Sequence, residues 1–137
     1  MTNEITRILK QHKLRLTACR KQVIEIFLQH PHAIAQTELD VLLNYFDRVT
    51  LYRTLHTFIE KGIVHKIIDD SGTTKYAMCS SHCNEHAHHD NHLHFKCITC
   101  DSLQCIENIS IPNIELPQHF TYIDADILVK GICDKCQ

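Results

Sequence analysis

The chain has 137 residues, 44% apolar and 22% charged, with a formal net charge of −2. That is an ordinary globular balance, enough for one domain of average size or two very small ones sharing a core. No apolar run approaches the roughly 18 to 20 residues of a membrane helix. The opening MTNEITRILKQHKLRLT also lacks the apolar stretch and cleavage site of a secretory leader, so a cytoplasmic location and no membrane partner are expected. In that compartment the eight cysteines read as thiols or metal ligands before they read as disulfides.

The net charge hides an asymmetry. Residues 1–66 hold ten Lys/Arg against six Asp/Glu, whereas residues 67–137 hold four against ten. A basic half suited to meeting phosphate precedes an acidic half rich in Cys and His.

In chain order, EITRILKQH is a short amphipathic segment. TACRKQVIEIFLQH predicts a helix with Thr17 as N-cap, a face of Val23, Ile26 and Phe27, and Pro31 beyond its end. TELDVLLNYF predicts another, with Thr37 and Asp40 close to a capping-box pattern. DRVTLYRTLHTFIEKG predicts a fourth, capped by Asp47 and ended by Gly62. Its buried stripe is Leu51, Leu55, Phe58 and Ile59, which leaves Arg48, Thr50, Arg53, Thr54 and Thr57 on other faces. IVHKIIDDSGTTKYAMC then predicts a β-hairpin around DDSG. Helices followed by a hairpin are the order of a winged helix, whose last full helix before the wing enters the major groove.

Beyond Ser80, HLHFKC, SLQCIE and TYIDADILVKGIC predict strands, with an irregular segment between Pro112 and Pro117 and a short helical turn near LPQHF. The expected fold class is α+β: a winged-helix domain over 1–80, a His-rich hinge over 81–91, and a second small α/β domain over 92–137.

Cys97-Ile-Thr-Cys100 and Cys133-Asp-Lys-Cys136 are two C-x-x-C pairs separated by 32 residues. Each pair puts two thiolates on one tight turn, and two such turns complete an all-sulfur tetrahedron that suits zinc and leaves no open position for chemistry. A redox role is rejected, because neither pair opens a helix in a βαβ unit. Cys19, in a helical pattern, reads as a core thiol.

Six of the twelve histidines fall between His82 and His94. His92-Leu93-His94-Phe95 alternates, so a strand would put both imidazoles on one face and send Leu93 and Phe95 into the core. The hairpin offers partners at its open end, His65 and Cys79. One thiolate and three imidazoles favour zinc over iron or manganese, because sulfur is soft and no carboxylate contributes. Lone surface histidines are commonly just solvated. There is no H-E-x-x-H, and no H-x-E followed by P-C-x-x-C. No carboxylate stands at catalytic spacing beside the ligands, so neither an enzyme nor a small organic substrate is expected.

The helix order, the LYRTL…KGIV helix and wing, the His-rich hinge and the paired C-x-x-C motifs together resemble the ferric uptake regulator family, from KLRLTACR to KGICDKC. The resemblance implies a homodimeric, metal-activated repressor with an N-terminal winged helix, a C-terminal dimerisation domain and one structural zinc per chain on the paired cysteines. Tyr52 and Arg53 match a recognition-helix pair that meets thymine methyls and a phosphate. Arg15 matches a residue approaching the minor groove, Arg20 matches a backbone contact, and Thr50 joins this DNA-binding set.

Within the family, iron-type members carry glutamates where this chain has Ala77 and Cys105. Cys79, His65, His92 and His94 match residues of zinc uptake regulators, so the regulatory metal is expected to be zinc. His32 matches a ligand of iron-type members and keeps Fe(II) or Mn(II), or manganese-dependent peroxide sensing, as the alternative. A further family site finds Asn91 and Leu93 in ligand positions, leaving His86, His88, His89 and Asp90 as candidates to rebuild it. Cys83 and Cys105 remain as secondary ligands or bystanders. The partners implied are a second copy of the chain and a pseudo-palindromic DNA operator; a zinc-stabilised protein-interaction module is the distant alternative.

Overall fold

The computed structural model describes residues 2–68, 70–78, 93–106, 113–123, 125 and 127–137. The chain divides into two compact units, Met1–His88 and His89–Gln137.

In the first unit, α1 (Thr2–Gln11), α2 (Ala18–Gln29), β1 (Ile34–Ala35), α3 (Gln36–Leu42) and α4 (Arg48–Lys61) precede the hairpin of β2 (Val64–Ile68) and β3 (Thr74–Met78). This is the expected winged helix. Each helix turns a short apolar stripe inward: Ile5 and Leu9 from α1, Val23 and Phe27 from α2, Leu51, Leu55 and Phe58 from α4. The i, i+4 spacing puts these side chains on one face, which is what lets three short helices share a core. The Thr17 side chain accepts from the Arg20 N–H at 3.2 Å, and Asp47 Oδ1 accepts from the Thr50 N–H at 2.6 Å. Both caps were readable in the sequence. Gly62 ends α4 at φ 79° and Gly72 turns the hairpin at φ 79°, a backbone region that costs other residues a steric penalty.

Two expectations change. α3 begins at Gln36 with Ala35 as N-cap and no side-chain cap, so Thr37 lies inside the helix rather than capping it. The cause is β1, a two-residue strand pairing Ile34 with Tyr76 and Ala35 with Lys75, which ties down the chain immediately before Gln36. Thr54, expected on an outer face of α4, is 7% exposed. Its hydroxyl donates to the Thr50 carbonyl at 2.9 Å and lies 3.4 Å from Cys19 Sγ, so a buried polar group is satisfied.

The second unit is a three-stranded sheet in the order β5-β4-β6, from β4 (Leu93–Cys97), β5 (Leu103–Ile106) and β6 (Ile127–Gly131), ending in a 3-10 turn over Asp134–Cys136. β4 runs antiparallel to β5 and parallel to β6. The long strand expected across TYIDADILVKGIC shrinks to β6. Near LPQHF there is a turn, with Phe120 N–H donating to the Pro117 carbonyl at 3.1 Å and His119 at φ 72°.

The alternation along β4 is present, but its faces are reversed. His94 and Lys96 are 8% and 9% exposed, whereas Leu93 and Phe95 are only half-buried. A lysine stem and an imidazole carry enough apolar surface to be covered provided their polar ends are satisfied.

Candidate metal centre and nucleic-acid face

The two cysteine pairs, distant in sequence, meet at one end of the second sheet. Parallel pairing sets Cys97 beside Gly131, so the turn after β4 and the turn after β6 leave the sheet together. The first turn is closed by Asp101 N–H donating to the Cys97 carbonyl at 2.9 Å, the second by Cys136 N–H donating to the Cys133 carbonyl at 3.1 Å. Asp101 takes φ 61°, a value aspartate tolerates better than most residues. The four sulfurs of Cys97, Cys100, Cys133 and Cys136 lie within 4.8 Å of one another, with Cys100 and Cys133 Sγ 3.8 Å apart. Zinc–sulfur bonds of about 2.3 Å at tetrahedral angles separate neighbouring sulfurs by roughly 3.8 Å. The four thiols are gathered closely enough to suit a zinc ion.

Its electrostatics point the same way. Backbone N–H groups, Cys133 first and then Cys100, pull the Cys97 thiol down to about 6; the Cys133 N–H lies 3.4 Å from Cys97 Sγ. Ser102, with Oγ 3.1 Å from Cys100 Sγ, lowers the Cys100 thiol. Sharing hydrogen bonds with Cys133 and Cys100 pushes Cys136 up to about 12. Neighbouring sulfurs compete for ionisation until a cation shares them.

The remaining candidates are more dispersed. His65 lies at the open end of the wing, half-buried and paired with Ala77. His94 faces Cys105 directly across β4 and β5. A ring nitrogen of His94 and Cys105 Sγ lie within 4.8 Å of each other. Cys79, Cys83, His86, His88, His89, Asp90 and His92 fall outside the described residues. His32, half-buried after α2, has its Nδ1 shielded from solvent without a hydrogen-bond partner. Cys105 stood out in the sequence as a possible secondary ligand at the place of a glutamate in iron-type members, but its position opposite His94 depends on a strand register that spacing alone does not give.

The expected DNA-binding residues are on the first unit. Arg15, Thr50, Tyr52 and Arg53 are exposed. Arg20 Nη1 donates to the Arg15 carbonyl at 2.9 Å, which fixes one arginine against the backbone of the other. A cleft of about 430 Å³ between α2 and α4 is lined by Thr17, Arg20, Thr50, Arg53, Thr54 and Thr57. Its arginines, hydroxyls and helix N-terminus all suit a phosphate oxygen. The Tyr52 hydroxyl lies 3.5 Å from both carboxylate oxygens of Asp40, a contact between α3 and α4 that no sequence pattern signalled.

A winged helix joined to a small sheet that carries a four-thiol cluster defines a metal-binding regulator of the winged-helix class. The chain belongs to the ferric uptake regulator family, whose model matches residues 11–123. Ferric uptake regulation proteins of Staphylococcus aureus are 30% identical over 149 aligned residues, covering 99% of this chain and 98% of theirs. That of Staphylococcus epidermidis is 30% identical and covers 99% and 96%. Among solved structures, holo XcZur has a TM-score of 0.67 at 22% identity, over 98% of this chain and 97% of its own. The ferric uptake regulator of Vibrio cholerae has a TM-score of 0.55 at 22% identity, over 93% and 98%. The chain is therefore a metal-responsive transcriptional regulator and not an enzyme. Among the described residues no helix is long and apolar enough to cross a membrane.

Proposed function

We propose that this regulator is a zinc-responsive repressor that binds a pseudo-palindromic operator as a metal-loaded homodimer. The observation that carries the reading is the absence of a carboxylate at the wing position opposite His65. Opposite His65 stands Ala77, where iron-type members carry a glutamate, so the donor set of His65, Cys79, His92 and His94 is imidazole and thiolate alone, which prefers zinc to Fe(II) or Mn(II). In this reading Cys97, Cys100, Cys133 and Cys136 hold a structural zinc, and His65, Cys79, His92 and His94 hold the regulatory one. A zinc uptake regulator solved with zinc and DNA shares the fold, with a TM-score of 0.67 at 22% identity.

The metal would supply a positive charge shared by the donors that hold it. In this reading the donors come from a winged-helix domain over 1–80 and a dimerisation domain over 92–137, with residues 81–91 as the hinge between them. A ligand shifts such an equilibrium only through its differential affinity for the two arrangements. An incomplete shell in one arrangement provides that difference, typically about 1 to 3 kcal/mol per site. On DNA, α4 enters the major groove, Tyr52 packs on thymine methyls, and Arg15, Arg20, Thr50 and Arg53 hold the backbone. The operator is then rich in A·T, and affinity falls with salt. The apolar side chains exposed on the second unit, Ile114, Leu116, Phe120, Tyr122 and Ile123, suit the partner copy.

The test is metal content per chain by mass spectrometry on reduced protein, before and after a mild chelator, with operator binding followed in parallel. Two zinc ions per chain, one of them removable with loss of DNA binding, is the expected result. A single zinc, with DNA binding restored by Fe(II) or Mn(II) and not by zinc, overturns the assignment. A second reading, iron or manganese sensing through His32, draws on the unpartnered Nδ1 and on the relatives named ferric uptake regulation protein. That single-zinc outcome would favour it.

A further inference from the structure

We infer that Val49 is a specificity-determining residue of α4: its isopropyl group meets the C5-methyl of a thymine in each half-site, at a base pair other than those Tyr52 meets. The inference rests on the proposed placing of α4 in the major groove and adds to it a residue that selects operator sequence.

Successive residues of an α-helix turn by about 100°. The buried side chains of α4, Leu51, Thr54, Leu55 and Phe58, therefore lie together on one side. The row directly opposite consists of Val49, Arg53, His56 and Glu60, and all four are exposed. Tyr52 stands on one flank of that row, where its hydroxyl meets Asp40 of α3. Thr50 and Thr57 stand on the other flank and line the cleft toward α2. The row is the ridge of α4 farthest from the core, and Val49 is its N-terminal member. Recognition helices read base edges with their N-terminal residues. At the other end of the row His56 Nε2 and Glu60 Oε1 are 3.0 Å apart, so its one carboxylate is engaged and far from the tip.

Helix stability does not account for Val49. A branched side chain loses rotamer freedom in a helix, and at 58% exposure this one gains little packing in return. The first turn of α4 holds no acidic residue and opens with Arg48, a charge of the unfavourable sign at a helix N-terminus. Both choices cost α4 stability. Both suit a helix end set between phosphates, with cations at its sides and an apolar group against base edges.

In the major groove thymine alone among the four bases presents a methyl group. An apolar side chain therefore separates it from cytosine without a hydrogen bond. Val49 and Tyr52 stand at i and i+3, with Cβ atoms about 5–6 Å apart. That exceeds the rise of about 3.4 Å per base along one strand, so the two side chains fall on different base pairs.

The test begins by selecting an operator from a randomised DNA duplex pool with zinc-loaded full-length protein, or with Mn(II)-loaded protein should zinc give no enrichment. Each thymine of the half-site is then replaced in turn by uracil, which lacks only the methyl. Replacing the thymine that Val49 meets should weaken wild-type binding about fourfold per half-site, the worth of one buried methyl. In Val49→Ala that position should become indifferent to uracil, while the position that Tyr52→Ala silences stays sensitive. Val49→Thr, which keeps one of the two methyls, should respond in between. Alanine is the better helix former, and an unmoved melting temperature in both variants is the folding control.

A uracil profile of the same shape in wild type and Val49→Ala, whatever the overall affinity, overturns the inference and leaves α4 in the groove. Uracil tolerated at every position by the wild type overturns the inference together with the packing of Tyr52 on thymine. No enriched sequence with either metal overturns the operator reading and the inference with it.

Discussion

The two units hold themselves together by different means. The first has a continuous apolar core running from Ile5 to Tyr76, with Val23, Ile24, Phe58 and Val64 fully covered. In the second, the buried described residues are His94, Lys96, Cys97, Leu103 and Cys133, of which only Leu103 is a hydrocarbon. A segment the length of His89–Gln137 lies near the range, below about 40 to 70 residues, where chains need metals, disulfides or partners to fold. Here the cysteine turns serve as a core. One unit is specified by apolar periodicity and the other by sulfur spacing, and each should fail in its own way.

The sharpest way to break the contrast is to remove a sulfur. Cys100→Ser or Cys133→Ser should cost one zinc per chain and strongly destabilise the second unit, since structural zinc contributes about 10–16 kcal/mol to small metal-dependent folds. Circular dichroism should show the strand signal falling while helix signal from the first unit persists. Equal loss of both signals would mean that the units do not stand separately.

The complementary lesion is Phe58→Ala in the first core. It should destabilise that unit by about 3–5 kcal/mol in denaturant titrations and leave zinc content unchanged. A change in zinc content would end the distinction.

The nucleic-acid face should be separable from both. Arg53→Ala should weaken operator binding about uniformly across sequences and lower the salt slope by about one unit, with the melting temperature unmoved. Tyr52→Ala should weaken A·T-rich sites selectively, and Tyr52→Phe, which loses only the contact with Asp40, should change little.

Smallest is a pH effect on the metal-free second unit. The folded state holds the Cys97 thiol at about 6 against an ordinary 9.0. Its stabilisation is then present in full above about 9.0 and is lost as pH falls through about 6. Cys136 is pushed up to about 12 from 9.0, so its contribution is complete below 9.0 and is lost as pH rises through about 12. Denaturant midpoints between pH 5 and pH 9 should rise with pH because of Cys97; a flat profile would contradict the N–H contacts at its sulfur.

The same division explains what could be read in advance. Thr17, Asp47, Gly62 and Gly72 act through the residues next to them, so caps and turns were visible in the sequence. The four cysteines were visible because a C-x-x-C turn carries its own geometry. Hidden were features that depend on which strands become neighbours. β1 is too short to show a period, and its pairing with β3 moved the start of α3. The burial of Thr54 follows from how α2 and α4 pack. The reversal of faces on β4 and the placing of Cys105 opposite His94 belong to the register of β4 against β5, and the register is a tertiary fact.

The parallel pairing of β4 with β6 has one more consequence. It places the two cysteine turns side by side although 32 residues separate Cys100 from Cys133. An ion bound there closes that stretch into a ring, as a cross-link would. By the loop-closure relation for disulfides, such a ring lowers the entropy of the unfolded chain by an amount worth about 4 kcal/mol. Gly131 allows the ring to shut tightly, since a Cβ there would meet the Phe95 ring at 3.1 Å. The exposed residues Ile114, Phe120 and Ile123 all lie within the ringed stretch. In the proposed reading, metal loss would open the loop that carries the surface offered to a second copy, and the pairing of chains would then depend on the metal.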